Sequence, residues 1–159
     1  MAVINQYIDE NLAVHEKQEP NRAGGSRALI NNYCFNVANT DSNGSVYRLN
    51  RIESNAVIYE CLVGSSGITG GTSYHLGLYN VDMGDVVDAD LYMSGQSLVT
   101  AKKDIDGISA IPVAKLNLRV WELLGLPKDP QCQFDLAITA NTAGTSGGDI
   151  AVRVLYAKY

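Results

Sequence analysis

The sequence predicts an all-β chain: a jelly-roll-like β-sandwich of about seven or eight strands, with two short helices and an extended N-terminal arm. Three observations carry this. From Leu29 onward apolar residues recur at every second position, the period of a half-buried strand. Gly is abundant, 15 against 4 Pro, and the runs between strands are long and rich in Gly, Ser and Thr. Only two stretches carry a helical period, and both are short. Many short strands with long, decorated connections point to a sandwich or jelly roll. A chain of 159 residues suits one such domain.

Residues 1–28 stand apart as the arm. They are polar, keep no sustained period, and carry Pro20 and the Gly24–Gly25 pair, which ends any helical turn there. Free tails seldom hold this much apolar content, so the arm is expected to lie on a neighbouring subunit. Its Ile4, Tyr7, Ile8, Leu12 and Val14, with Tyr159 at the other end of the chain, are the candidate protein-interface residues.

Residues 29–159 form the sandwich. Leu29, Asn31, Tyr33, Phe35 and Val37 share one face of the first strand, and Asp41-Ser-Asn-Gly44 is a tight turn. Tyr47, Leu49 and Ile52 break strict alternation, which places a bulge near Asn50. Val57, Tyr59, Cys61 and Val63 make the next strand, and Tyr74, Leu76 and Leu78 another, after a loop over Gly64–Ser73. Asp85 as N-cap, Asp88 three residues on and Gly95 beyond predict a short helix over 85–93. A second helix is expected over Ala114–Leu124, where Leu116, Val120, Leu123 and Leu124 share a face before Gly125 and Pro127. Cys132, Phe134, Leu136 and Ile138 alternate in the next strand, and Ile150, Val152, Val154 and Tyr156 in the last. The Gly-containing linker Asn141–Asp149 suits a hairpin loop between them.

Composition narrows the function. Charged residues are only 18% against a usual figure of about 25%. The net charge is −5, with scattered cations, and six Asp lie between residues 82 and 106, so nucleic acid and anionic membranes are not expected partners. No apolar run approaches the roughly 20 residues of a membrane span, and the start lacks the pattern of a secretory signal. Cys34, Cys61 and Cys132 are then expected as small buried hydrophobes in a reducing compartment. Nine Tyr among twelve aromatics favour protein contacts, since Tyr buries much area at small entropic cost.

No residue pattern singles out a catalytic site, metal or cofactor, and the chain is not expected to be an enzyme. His75 has only Ser73 as a nearby hydroxyl partner. The three Cys lack the close pairs of a zinc site. The Gly64–Ser73 loop lacks the Lys of a phosphate loop. Asp41–Gly44 lacks the distal Glu of a calcium loop, since residue 52 is Ile. The acids at 82–90 read as the solvated face of a capped helix. Trp121, beside Val120 and Leu123–Leu124, reads as core.

One series of segments is more specific. Ser54-Asn-Ala-Val-Ile58 is followed by Gly70-Gly-Thr-Ser-Tyr-His-Leu-Gly-Leu-Tyr79, then Val86-Val-Asp-Ala-Asp-Leu91 with Ser94-Gly95. Val120-Trp-Glu-Leu-Leu-Gly125, Phe134-Asp-Leu-Ala-Ile-Thr139 and Ile150-Ala-Val-Arg-Val-Leu-Tyr156 complete it. This order resembles the head-decoration, or cement, proteins of tailed bacteriophages over residues 29–159. The resemblance implies a structural virion protein, made in the host cytoplasm and bound as a small homo-oligomer, trimer or dimer, outside the head. There it would clamp neighbouring major capsid protein subunits. The competing class is a carbohydrate- or receptor-binding sandwich of a phage spike or fibre, with Trp121 as a stacking platform. Deleting residues 2–24 is expected to lower occupancy on capsids, counted by cryo-EM; unchanged occupancy would refute the arm.

Overall fold

Period-two patterning sets the strands. The structure, a computed structural model, describes residues 2–7 and 28–159 and contains nine strands among them. In order they are β1 (Asn5–Tyr7), β2 (Ala28–Val37), β3 (Ser45–Glu53), β4 (Val57–Ser65) and β5 (Ser73–Asn80). There follow β6 (Val86–Gln96), β7 (Lys102–Asp106), β8 (Gln133–Thr142) and β9 (Gly148–Ala157). Among the described residues helix is limited to a 3-10 turn at Val113–Lys115 and one α-helical turn, α1, at Val120–Leu123. Two sheets of order β1-β3-β8-β5-β6 and β2-β9-β4-β7 form an all-β sandwich. Neighbours run antiparallel, save the parallel pair β1–β3.

The core lies between the sheets, where the alternating sets meet. Leu136 and Ile138 of β8 are fully buried, as are Leu76 and Leu78 of β5 and Ile150 and Val154 of β9. Each such side chain stabilises the fold by about 1.5–3 kcal/mol relative to exposure. In β2 the residues expected to face inward do so, with Phe35 and Val37 buried and their neighbours exposed. The bulge expected near Asn50 is present, as the β3–β8 register slips between Arg48 and Asn50. In β4 a slip between Ile58 and Glu60 turns Ile58 inward and leaves Tyr59 42% exposed, against the simple alternation of the sequence.

Other expectations fail for physical reasons. The helix expected over 85–93 is instead β6, an edge strand on β5 whose register shifts three times. Those bulges hide its strand period, and its acids serve turns: Asp88 Oδ1 accepts the Asp90 N–H and Ser94 donates to Asp90. The helix expected over 114–124 shrinks to the 3-10 turn and α1, whose Val120 and Trp121 amides donate to Ala56 and Ser54 carbonyls. The 141–149 linker is not a hairpin, because β8 and β9 lie in opposite sheets and it crosses between them. Cys61 is buried, and burial pushes its thiol up to about 12; Cys34 and Cys132 are exposed, contrary to expectation, and all three are free thiols. Cys34 lies on the outer face of β2, and Cys132 precedes the first residue of β8.

Close approach of β6 to β5 depends on one glycine. A Cβ on Gly77 would lie 2.1 Å from the Asp88 carbonyl oxygen and 2.3 Å from the Ala89 carbonyl carbon. Gly77→Ala is therefore expected to destabilise the fold by about 3 kcal/mol or more, measured by denaturant unfolding. Gly95→Ala, at φ 62° with open space around it, should cost only about 1 kcal/mol.

Candidate interaction surfaces

The N-terminal strand is held by a buried cation. Arg48 of β3 is the largest fully buried side chain of the described residues. It lies on the face of the five-stranded sheet that points away from the core, together with Asp135 and Tyr79. Its Nε donates to Asn5 Oδ1 of β1 at 3.0 Å, and Nη1 donates to Asp135 Oδ2 at 2.9 Å. The carbonyls of Asn80 and Gly84, in the β5–β6 turn, accept from Nη1 and Nη2 at 2.8 and 2.7 Å. The guanidinium also stands 5.0 Å from the Tyr79 ring centroid. A fork of fixed donors thereby joins β1, β3, β8 and the β5–β6 turn at one point.

Of the candidate arm residues, Ile4 is half-buried against its own sheet: its carbonyl accepts the Val46 N–H at 2.6 Å, and its N–H donates to Ser45 Oγ at 3.1 Å. Tyr7 pairs with Arg48 in the β1–β3 register. Residues 2–7 thus belong to their own sandwich, while Ile8, Leu12 and Val14 lie outside the described residues. Val3 is 64% exposed beside this strand.

Tyr159 belongs to a second surface, an aromatic patch at the C-terminus. It is 52% exposed, its hydroxyl meets that of Tyr59, and its carbonyl accepts from Asn55 Nδ2. The hydrogen bond to Tyr159 raises the Tyr59 phenol above its ordinary range. Arg119, at the start of α1, places its guanidinium 5.7 Å from the Tyr159 ring centroid. Trp121, two residues on in α1, is half-buried, and its Nε1 has no hydrogen-bond partner among the described residues. Tyr, Trp and Arg together are the side chains that anchor protein interfaces. Only Tyr159 of this group stood among the candidate residues, because a strand slip exposes Tyr59 and tertiary packing brings Arg119 to it.

A third surface is the outer face of the four-stranded sheet. Small side chains at Cys34, Gly64 and Ala151 floor a shallow depression of about 690 Å³, edged by Lys102, Lys103 and Arg153.

The Gly-rich loop, the Asp41–Gly44 turn and His75 have structural tasks. Ile68 in the Gly-rich loop is fully buried and plugs the end of the sandwich. Asp41 is buried, accepting the Tyr47 hydroxyl at 2.5 Å and the Ala38 N–H at 3.1 Å. Burial, reinforced by Asp41, holds the Tyr47 phenol well above its ordinary range. Asn43 Oδ1 accepts the Ala143 N–H, and His75 Nδ1 accepts the Gly95 N–H at 3.0 Å. Among the described residues no group of three or more His, Cys, Asp or Glu is placed to hold a metal ion.

Arg48→Met leaves Asp135 buried without its principal cation and should cost about 3–5 kcal/mol in denaturant unfolding. The same variant should lose hydrogen-exchange protection at the Val46 amide. Full protection there would show that β1 docks without Arg48.

No protein-family model matches the sequence, and no curated protein does. Solved structures do share its fold. A chain of the capsid of Ralstonia phage GP4 superposes with a TM-score of 0.63 at 13% identity, over 96% of this chain and 97% of that one. A chain of the cyanophage Pam1 capsid asymmetric unit does so with a TM-score of 0.53 at 13% identity, over 92% and 96%. The chain has the β-sandwich fold of chains found in two phage capsids, matched nearly from end to end.

Proposed function

We propose that this chain is a structural protein of a tailed-phage virion, bound outside the capsid, where it cements neighbouring major capsid protein subunits. The observation that carries this reading is the nearly end-to-end likeness to chains of two phage capsids, in which little of either partner falls outside the match. The strand order supports a jelly roll. With β1 set aside, β2-β9-β4-β7 facing β3-β8-β5-β6 is the order that eight consecutive strands adopt when folded as two Greek keys.

The surface suits the task. A cement protein must stay soluble before docking and then hold neutral seams, and a charge-sparse surface with a Tyr-Arg-Trp patch does both. Repeated weak contacts around a shell add by multivalency, so no single contact needs to be strong. On this reading the chain is made in the host cytoplasm, acts as a small homo-oligomer without catalysis or cofactor, and binds neither nucleic acid nor membrane.

Shells of major capsid protein lacking this chain provide the test. Purified chain should bind them saturably and raise the temperature at which they disrupt, as any ligand selective for the assembled state must. Tyr159→Ala and Arg119→Ala should weaken that binding tenfold or more. Saturable binding to a glycan array with none to shells would overturn the proposal in favour of a receptor-binding module.

A further inference from the structure

The turn between β5 and β6 holds a conformation that its residues do not favour. The Gly84 N–H donates to the Val81 carbonyl at 3.1 Å, and the two residues between them, Asp82 and Met83, both have positive φ, 57° and 59°. Gly takes such angles freely, whereas a Met with its Cβ gains nothing from them locally. The fold enforces them all the same. Arg48 binds the Asn80 and Gly84 carbonyls on either side, and Arg51 Nη2 donates to Asp82 Oδ1 at 2.7 Å. Strain kept in a braced, exposed turn points to a use for what the turn presents. It presents an apolar tip, with Met83, Val86 and Val87 all exposed. Asp85 is exposed beside them and pairs with no cation among the described residues.

The other sheet offers the counterpart. The depression on its outer face is low at Cys34, Gly64 and Ala151, where a Cβ on Gly64 would already stand 3.4 Å from the Lys102 carbonyl oxygen. Lys102, Lys103 and Arg153 edge it, and none of them has an acid within ion-pair distance among the described residues. Arg153 Nε donates to Asn32 Oδ1 at 3.1 Å, which fixes that cation over the floor. The one acid of the lining, Asp149, accepts from Asn36 Nδ2 at 3.0 Å, and three cations outweigh it.

We propose that the Asp82–Val87 turn of one copy docks into this depression on a second copy, with Met83 over the small-residue floor and Asp85 against the lysines. The occupant is chosen by two matches at once: an apolar tip for a floor of small side chains, and an acid for unpaired cations in a chain of net charge −5. One copy cannot fill its own depression, because that face points away from the sheet that carries the turn. Each copy owns both surfaces, so the contact repeats from copy to copy and closes into a small oligomer. This deepens the homo-oligomer part of the proposed function and holds whether or not the chain coats a capsid.

The exposed Cys34 in the floor reports the contact. A chain carrying Met83→Cys, Cys34→Ser and Cys132→Ser is mixed with one carrying Cys132→Ser alone, and oxidised glutathione accepts the two electrons. The two chains should become linked through residues 83 and 34, at least tenfold more than either chain links to itself. The wild-type chain should sediment above the monomer mass. Asp85→Lys, and Lys102→Glu with Lys103→Glu, should each return it to the monomer mass with cooperative unfolding intact. Mixed together, those two variants should form a dimer, since the reversed turn suits the reversed depression. Met83→Gly relieves the positive φ, so it should unfold at no lower denaturant than wild type yet weaken self-association tenfold or more. A monomeric wild type, a mixture without the link, or reversed variants that stay apart would each overturn the proposal. Shells that fail to bind a chain that forms the link would refute the capsid reading and leave this contact standing.

Discussion

A guanidinium buried behind a β-sheet must have nearly all its donors satisfied, and the arrangement around Arg48 follows from that constraint. Its ion pair with Asp135 spans adjacent strands, its bonds to the Asn80 and Gly84 carbonyls fix the β5–β6 turn, and its bond to Asn5 recruits β1. Removing a charge from water costs several kcal/mol unless such partners are all present. The geometry of this face is thereby specified as a unit. The Asp82 and Met83 backbones are held at positive φ in the same turn, and Arg51 reaches both Asp82, at 2.7 Å, and Asp135, at 3.5 Å.

The opposite sheet is built on other terms. Its outer face has no buried charge and is floored by small residues, and its β2 edge is long and regular. One sheet is thus locked by a polar network that also takes up the chain's N-terminal strand. The other presents an outer face whose shallow depression is floored by small residues and edged by Lys102, Lys103 and Arg153.

Much of the fold was legible in the residues. β2, β5, β8 and β9 follow from alternation alone, down to the inward faces of Phe35, Leu76, Leu136 and Val154. The bulge near Asn50 was legible because Tyr47, Leu49 and Ile52 cannot share one strand face without it. β6 was not: its bulges break the period, and Asp85 and Asp88 imitate a helix start while making turns. Cys132 looked like the first core residue of β8, yet the strand begins after it. The exposed face of Tyr59 depended on a one-residue slip that its neighbours do not announce. The aromatic patch was legible only at Tyr159, since Tyr59 of β4 and the Arg119–Trp121 segment at α1 lie far from it in the chain.

What period and composition settle is local: which stretches are extended, which face of each turns inward, and that the surface is short of charge. These follow from the pleat and from hydrophobic burial, which act over a few residues. The assignment of β8 and β9 to different sheets, the burial of Arg48 with Asp135, and the place of β2 at the end of its sheet among the described strands are properties of strand order. Strand order is set by contacts among residues far apart in the chain. An Arg in a strand has the same sequence signature whether it faces water or is itself buried against four acceptors, and only packing separates the two.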